Sequence, residues 1–197
     1  MRVFGIDPGS ERTGYGCVET DGRVARLVVC GAITALPADP FPSRLARIHR
    51  ELGRLLNGCM PDYVAIEELF HAANVRSALK LGHARGVAVL AAVEAGCPVV
   101  EYTPAEVKRA VVGYGRAEKQ QVQQMVKLLL RLTRPPSPHD AADALAVAIC
   151  HLHSMPLVPR NVEPGTRSRH PELGDRNVQP RVAQPRTWRQ YRPRTTG

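Results

Sequence analysis

An α/β fold, a mixed five-stranded sheet flanked by helices, is predicted by three features of the sequence. Residues 1 to 33 carry strand-like apolar runs broken by turn dipeptides, the pattern of an antiparallel meander. From Ser43 the apolar period changes to that of a helix. Beyond Tyr63, short apolar runs alternate with long helical stretches, as βαβ units require.

The first strand is Val3–Asp7, the second Gly14–Glu19 and the third Arg26–Ile33. Asp7-Pro8-Gly9-Ser10 and Asp21-Gly22 join them, the latter with hairpin chemistry because Gly readily takes positive φ. Leu45, Ile48, Leu52, Leu55 and Leu56 form one helical stripe. An apolar strand at Tyr63–Ile66 precedes a helix from Asn74 to Ala95, then a short strand at Pro98–Tyr102. Helices are expected near 104–112, 117–132 and 138–153. Within the second helix, Val87–Val93 is apolar all round, whereas a helix lying on a sheet needs only one stripe. Its outward face wants a cover, from a two-fold partner or from another helix of the same chain.

The chain is long enough for one domain with a tail: 1–155 as the folded domain, 156–197 as an Arg/Pro-rich extension. That extension holds nine Arg, no Lys, three acids and seven of the 17 prolines, a net +6 that leaves +3 for the rest. It lacks the apolar content to offset ordering, so disorder is expected, either as a solvated tail or loosely against nucleic acid. The whole chain has 27 Lys+Arg against 18 Asp+Glu. Such a balance favours an anionic polymer or surface as partner. A membrane is not expected, since Val87–Val93 is far too short to span one. No secretory segment opens the chain, and the five dispersed cysteines form no Cys-x-x-Cys pair. Both point to a reducing, cytoplasmic setting.

Four acids stand out. Asp7 and Glu67 each end an apolar strand, and Asp140 and Asp143 open a helix that then turns apolar. Each has an ordinary reading. Asp7 precedes a Pro-Gly turn. Glu67 is the polar end of a strand. Ser137-Pro138-His139-Asp140 has the form of a capping box, as does Thr103-Pro104-Ala105-Glu106, which has no evident chemistry. Asp143 resists such a reading, because it shares a helix face with Asp140 among alanines. Taken together the acids predict a different arrangement if the first and fourth strands are adjacent and parallel. Carboxylates about 4 Å apart repel by about 4 kcal/mol at an effective dielectric near 20, so a cluster needs protons or cations. An all-oxygen set suits Mg²⁺ or Mn²⁺, and two ions would clamp both oxygens of a phosphodiester displacement. Around Val112-Gly113-Tyr114-Gly115, the candidate DNA contacts are Lys108, Lys119 and Tyr114. Tyr114 sits between glycines as a mobile tip suited to stacking on a base, or as part of a solvated loop. Phe70 is either a core anchor or a stacking wedge. His151-Leu152-His153 reads as the polar end of a helix.

Gly5-Ile6-Asp7-Pro8-Gly9-Ser10 with Thr13-Gly14-Tyr15-Gly16, Ala65-Ile66-Glu67, Ser77–Val87, Val111-Val112-Gly113, Ala117-Glu118-Lys119 and Asp140–Ala146 resemble the RuvC family of Holliday junction resolvases over residues 1 to 153. The resemblance implies an RNase H-like fold, a homodimer and a Mg²⁺-dependent endonuclease. Such an enzyme nicks two opposed strands of a four-way junction, leaving 5′-phosphate and 3′-hydroxyl ends. It puts the metal ligands on Asp7, Glu67, Asp140 and Asp143, with His139 a further candidate beside Asp140. Lys108 and Lys119 become phosphate contacts, Phe70 a junction-stacking aromatic, and a branch-migration helicase complex a partner. Two other readings stay open: a sugar kinase or ATPase, from the Asp7-Pro8-Gly9-Ser10 turn, and a junction-binding module without activity.

Overall fold

The computed structural model describes residues 1–36, 38–68 and 74–155. Within them the chain runs β1 (Arg2–Asp7), β2 (Arg12–Thr20), β3 (Ala25–Thr34), α1 (Phe41–Cys59), β4 (Tyr63–Glu67), α2 (Val75–Glu94), β5 (Val99–Tyr102), α3 (Pro104–Val112), α4 (Lys119–Leu129) and α5 (His139–Ser154). The expected tail, 156–197, lies outside the described residues. The sheet order is β3-β2-β1-β4-β5. Strands joined by short turns pair antiparallel, β1 with β2 and β2 with β3. Strands joined through helices pair parallel, β1 with β4 and β4 with β5. Gly22 takes φ +92° in the β2–β3 hairpin, and the Asp21 carboxylate accepts hydrogen bonds from the backbone N–H groups of Arg23 and Val24.

Alternation along β1 and β4 divides the interior into two layers. Val3 and Ala65 face α5, α3 and α4. Phe4, Ile6, Val64 and Ile66 face α1 and α2. A central strand covered on both faces reads as a continuous apolar run, as β1 does. Helix α1 has no side-chain cap at Pro40, a loss of about 1 kcal/mol. Burial of Ile48, Leu52 and Leu56 outweighs it, at about 1.5–3 kcal/mol each.

Helix α5 is buried almost all round. It lies unusually close to the sheet because β1 and β2 present glycines beneath it. A Cβ on Gly5 would overlap the Ala144 carbonyl, and one on Gly14 the Asp140 carbonyl. On Gly16 it would come within 2.6 Å of the Leu145 side chain. Close helix–sheet approach of this kind needs small residues on both sides, and Ala141, Ala144 and Ala148 supply the other.

Two local expectations are corrected. Helix α5 begins at His139 with Pro138 as its N-cap and no side-chain cap, so Ser137 and Asp140 form no capping box. The matching pattern at Thr103–Glu106 does form one. His151 is buried, not part of a polar helix end: its Nδ1 lies 2.8 Å from the Tyr102 hydroxyl and its ring packs on Tyr63. All five cysteines are free thiols. No described helix is long and apolar enough to cross a membrane.

Candidate active site

Ile6 pairs with Ile66, so Asp7 and Glu67 follow side by side at the ends of two parallel strands. Period-two alternation from Val3 and Ala65 puts both on the face covered by α5. Gly14 is the register partner of Asp7 across β2, and the Asp140 carbonyl occupies the space its Cβ would fill. The first turn of α5 is thereby seated over the strand ends, with Asp143 one turn further along. Four acids separated by up to 136 residues converge through sheet register and glycine packing.

Their mutual field is strong. Asp7 is pushed up from 3.8 to about 8, first by burial and then by Glu67, Asp143 and Asp140, with Lys119 opposing. Glu67 is raised by burial and by Asp143, against Lys119 and Lys108. Lys119 Nζ lies 3.4 Å from Asp143 Oδ2, and that carboxylate raises the Lys119 pKa. Arg12 Nη1 lies 3.4 Å from Asp140 Oδ2. Among the described residues, no three His, Cys, Asp or Glu side chains close tightly enough to grip an ion as they lie. The charge is met instead by Lys119, Arg12 and the proton that Asp7 favours. Such a set of hard oxygens in mutual repulsion fits a hard divalent cation once the side chains draw in.

Of the other predicted site residues, Lys108 is half-buried and within the field of Glu67. Tyr114 is exposed but not a loose tip: its hydroxyl donates to Gln121 Oε1 at 2.8 Å, which also accepts from the Glu118 N–H at the start of α4. Gly113 closes α3 in the left-handed conformation. His139 is exposed, with its Nδ1 engaged by the Gln123 amide. Phe70 lies outside the described residues. Arg12 and Gln123 were not singled out by sequence. Gln123 sits among the polar residues of α4, and Arg12 lies 128 residues from its partner, so neither carries a local signal.

A model of the RuvC family, crossover junction endodeoxyribonuclease, matches residues 3–151. The chain belongs to the RuvC family. RuvC of Koribacter versatilis is 56% identical over 162 residues, covering 81% of this chain and 97% of that relative. RuvC of Chloroflexus aggregans is 51% identical over 160 residues, covering 81% and 98%. The structure of Thermus thermophilus RuvC in complex with a Holliday junction substrate superposes with a TM-score of 0.73 at 41% identity, covering 77% of this chain and 92% of that one. The mixed sheet flanked by helices is accordingly the RNase H-like fold of RuvC. With the family comes the chemical class, endonucleolytic cleavage of crossover junctions.

Proposed function

We propose that the chain resolves four-way DNA junctions by paired nicks, hydrolysing phosphodiesters at the site formed by Asp7, Glu67, Asp140 and Asp143. The observation that carries this reading is the convergence of two strand-end acids with the start of α5, under a field that pushes Asp7 up to about 8. These four would hold the metal. His139 is the weaker candidate because its Nδ1 already has a partner. Two Mg²⁺ ions, or Mn²⁺ in their place, would supply Lewis-acid stabilisation to the attacked phosphate and to the attacking and leaving oxygens.

The protein's own groups do the rest. Asp7, in the buried centre of the cluster, sets where the reacting phosphate must lie. Lys119 and Lys108, already in the carboxylate field, fix the flanking backbone phosphates. Tyr114, exposed and anchored by its hydroxyl, offers a ring for stacking, and Phe70 is assigned the same kind of role. Hydrolysis leaves 5′-phosphate and 3′-hydroxyl ends, ready for ligation.

Two symmetric cuts call for two sites related by a two-fold axis. Val75, Leu79, Gly82, Gly86, Leu90 and Val93 follow one another along α2 at steps of three and four, the spacing of a helix–helix seam. Val75 is 77% exposed, and Leu79 and Val93 are each 60% exposed. Ala84, Ala88 and Ala91, on the other side of α2, are buried in the layer shared with α1. A Cβ on Gly82 or Gly86 would meet nothing, so a second α2 can approach closely there. A homodimer through this seam is the arrangement we assign. A branch-migration helicase complex in the cytoplasm would be the partner delivering junctions.

The test is incubation of a synthetic mobile junction with purified protein and Mg²⁺. Paired nicks at symmetric positions, lost in Asp7→Asn while junction binding persists, are expected. Binding without nicks in the unmutated chain would leave only a binding module.

A further inference from the structure

We propose that Arg12 is a movable counter-ion: it neutralises Asp140 until a divalent cation arrives, then turns to a DNA phosphate. This inference rests on the metal-site reading above and adds a substrate-contacting residue to it.

The backbone at Arg12 is held rigidly. Thr13 is buried, and its hydroxyl donates to the Gly9 carbonyl at 2.8 Å, closing the loop after β1. The Arg12 carbonyl packs where a Cβ on Gly9 would lie. The side chain, by contrast, is 52% exposed and reaches Asp140 at 3.4 Å, its ion-pair partner among the described residues. A fixed base with a long exposed arm at the rim of a site has two stations within reach.

Charge decides which station is occupied. Among the described residues each α5 acid has one ion-pair partner, Arg12 from β2 for Asp140 and Lys119 from α4 for Asp143. Exposed pairs of this kind are weak, so a doubly charged ion held by several oxygens outcompetes a guanidinium for Asp140. Once displaced, the guanidinium sits beside two like charges and is driven outward. Its planar fork of five donors matches a phosphate oxygen pair better than an ammonium does. Cation entry and backbone capture are thereby linked through one side chain.

Arg12→Gln and Arg12→Lys provide the test, read by Mn²⁺ binding to the full-length protein alone and by junction affinity across a salt series in Ca²⁺, with a series in EDTA as the metal-free control. Without Arg12 the cation meets no basic competitor at Asp140, so Arg12→Gln should bind Mn²⁺ about two- to fivefold tighter. The same variant should lose about one from the slope of log affinity against log salt in Ca²⁺, and little in EDTA, where Arg12 stays on Asp140. Arg12→Lys, keeping the charge, should return both toward the unmutated values. A merely structural role would weaken both properties together. Unchanged or weaker Mn²⁺ binding in Arg12→Gln, an unchanged salt slope in Ca²⁺, or an equal loss of slope in EDTA overturns the proposal. If the unmutated protein binds junctions but no Mn²⁺, the metal-site reading itself fails and this inference goes with it.

Discussion

Asp7, proposed as a metal ligand, also bears on stability. An acid whose folded pKa lies near 8 and whose unfolded value is 3.8 holds its proton in the folded state long after the unfolded chain has released it. Folding stability is then fully present below about pH 4, falls as pH rises, and levels off above about 8. At about 1.4 kcal/mol per pH unit, the loss across that window is on the order of 5 kcal/mol. In metal-free buffer the melting temperature should therefore drop between pH 5 and pH 8. Asp7→Asn should flatten most of that drop, with Glu67 supplying the remainder because its pKa is displaced in the same direction. A thermal melt that is level with pH in the unmutated chain would contradict the burial assigned to Asp7. Lys119 belongs to the same scale. Lys119→Ala should weaken junction binding and reduce the salt slope by about one, because a lost phosphate contact releases one counterion fewer. Filter-binding titrations at several salt concentrations read it directly, and an unaltered slope would remove Lys119 from the DNA contacts.

At the scale of elements, the seating of α5 on Gly5, Gly14 and Gly16 fixes the site. Gly14→Ala would drive a methyl group into the Asp140 carbonyl, and backbone cannot yield as a side-chain tip can. Overpacking of this sort costs about 1–3 kcal/mol, measurable by urea denaturation. The variant should also bind Mn²⁺ less well, since Asp140 is lifted from the strand ends. Stability and affinity both unaltered would show that α5 tolerates displacement.

Strands β1 and β4 were legible in the sequence as apolar runs ending in acids, whereas their parallel pairing entered only as a condition, which the register of Ile6 with Ile66 meets. Helix α2 was legible too, down to Asn74, whose side chain accepts from the Ser77 N–H as its cap. The start of α5 was not. Ser137-Pro138-His139-Asp140 and Thr103-Pro104-Ala105-Glu106 look alike locally, yet Glu106 reaches back to its own helix start while Asp140 meets Arg12 from β2. Tertiary electrostatics chose between two equal local options. His151 was misread for the same reason: two tyrosines on distant strands enclose it.

For the molecule as a whole, the exposed seam of α2 is the interface we propose for assembly. Leu79→Asp would place a charge in the seam of each copy and should convert the dimer to monomer in sedimentation velocity. The monomer should keep its metal affinity and its fold, because Leu79 is exposed in the single chain. Paired nicking should give way to single, uncoordinated nicks. A Leu79→Asp protein that remains dimeric would move the interface elsewhere.

Helix α5 contributes half of the proposed catalytic acids and is the last element of the described chain. A polypeptide still emerging from the ribosome carries Asp7 and Glu67 but has nothing to complete them. On the proposed assignment, a partly made molecule would hold two acids at the sheet edge and lack the other two, so cleavage would wait for the finished chain.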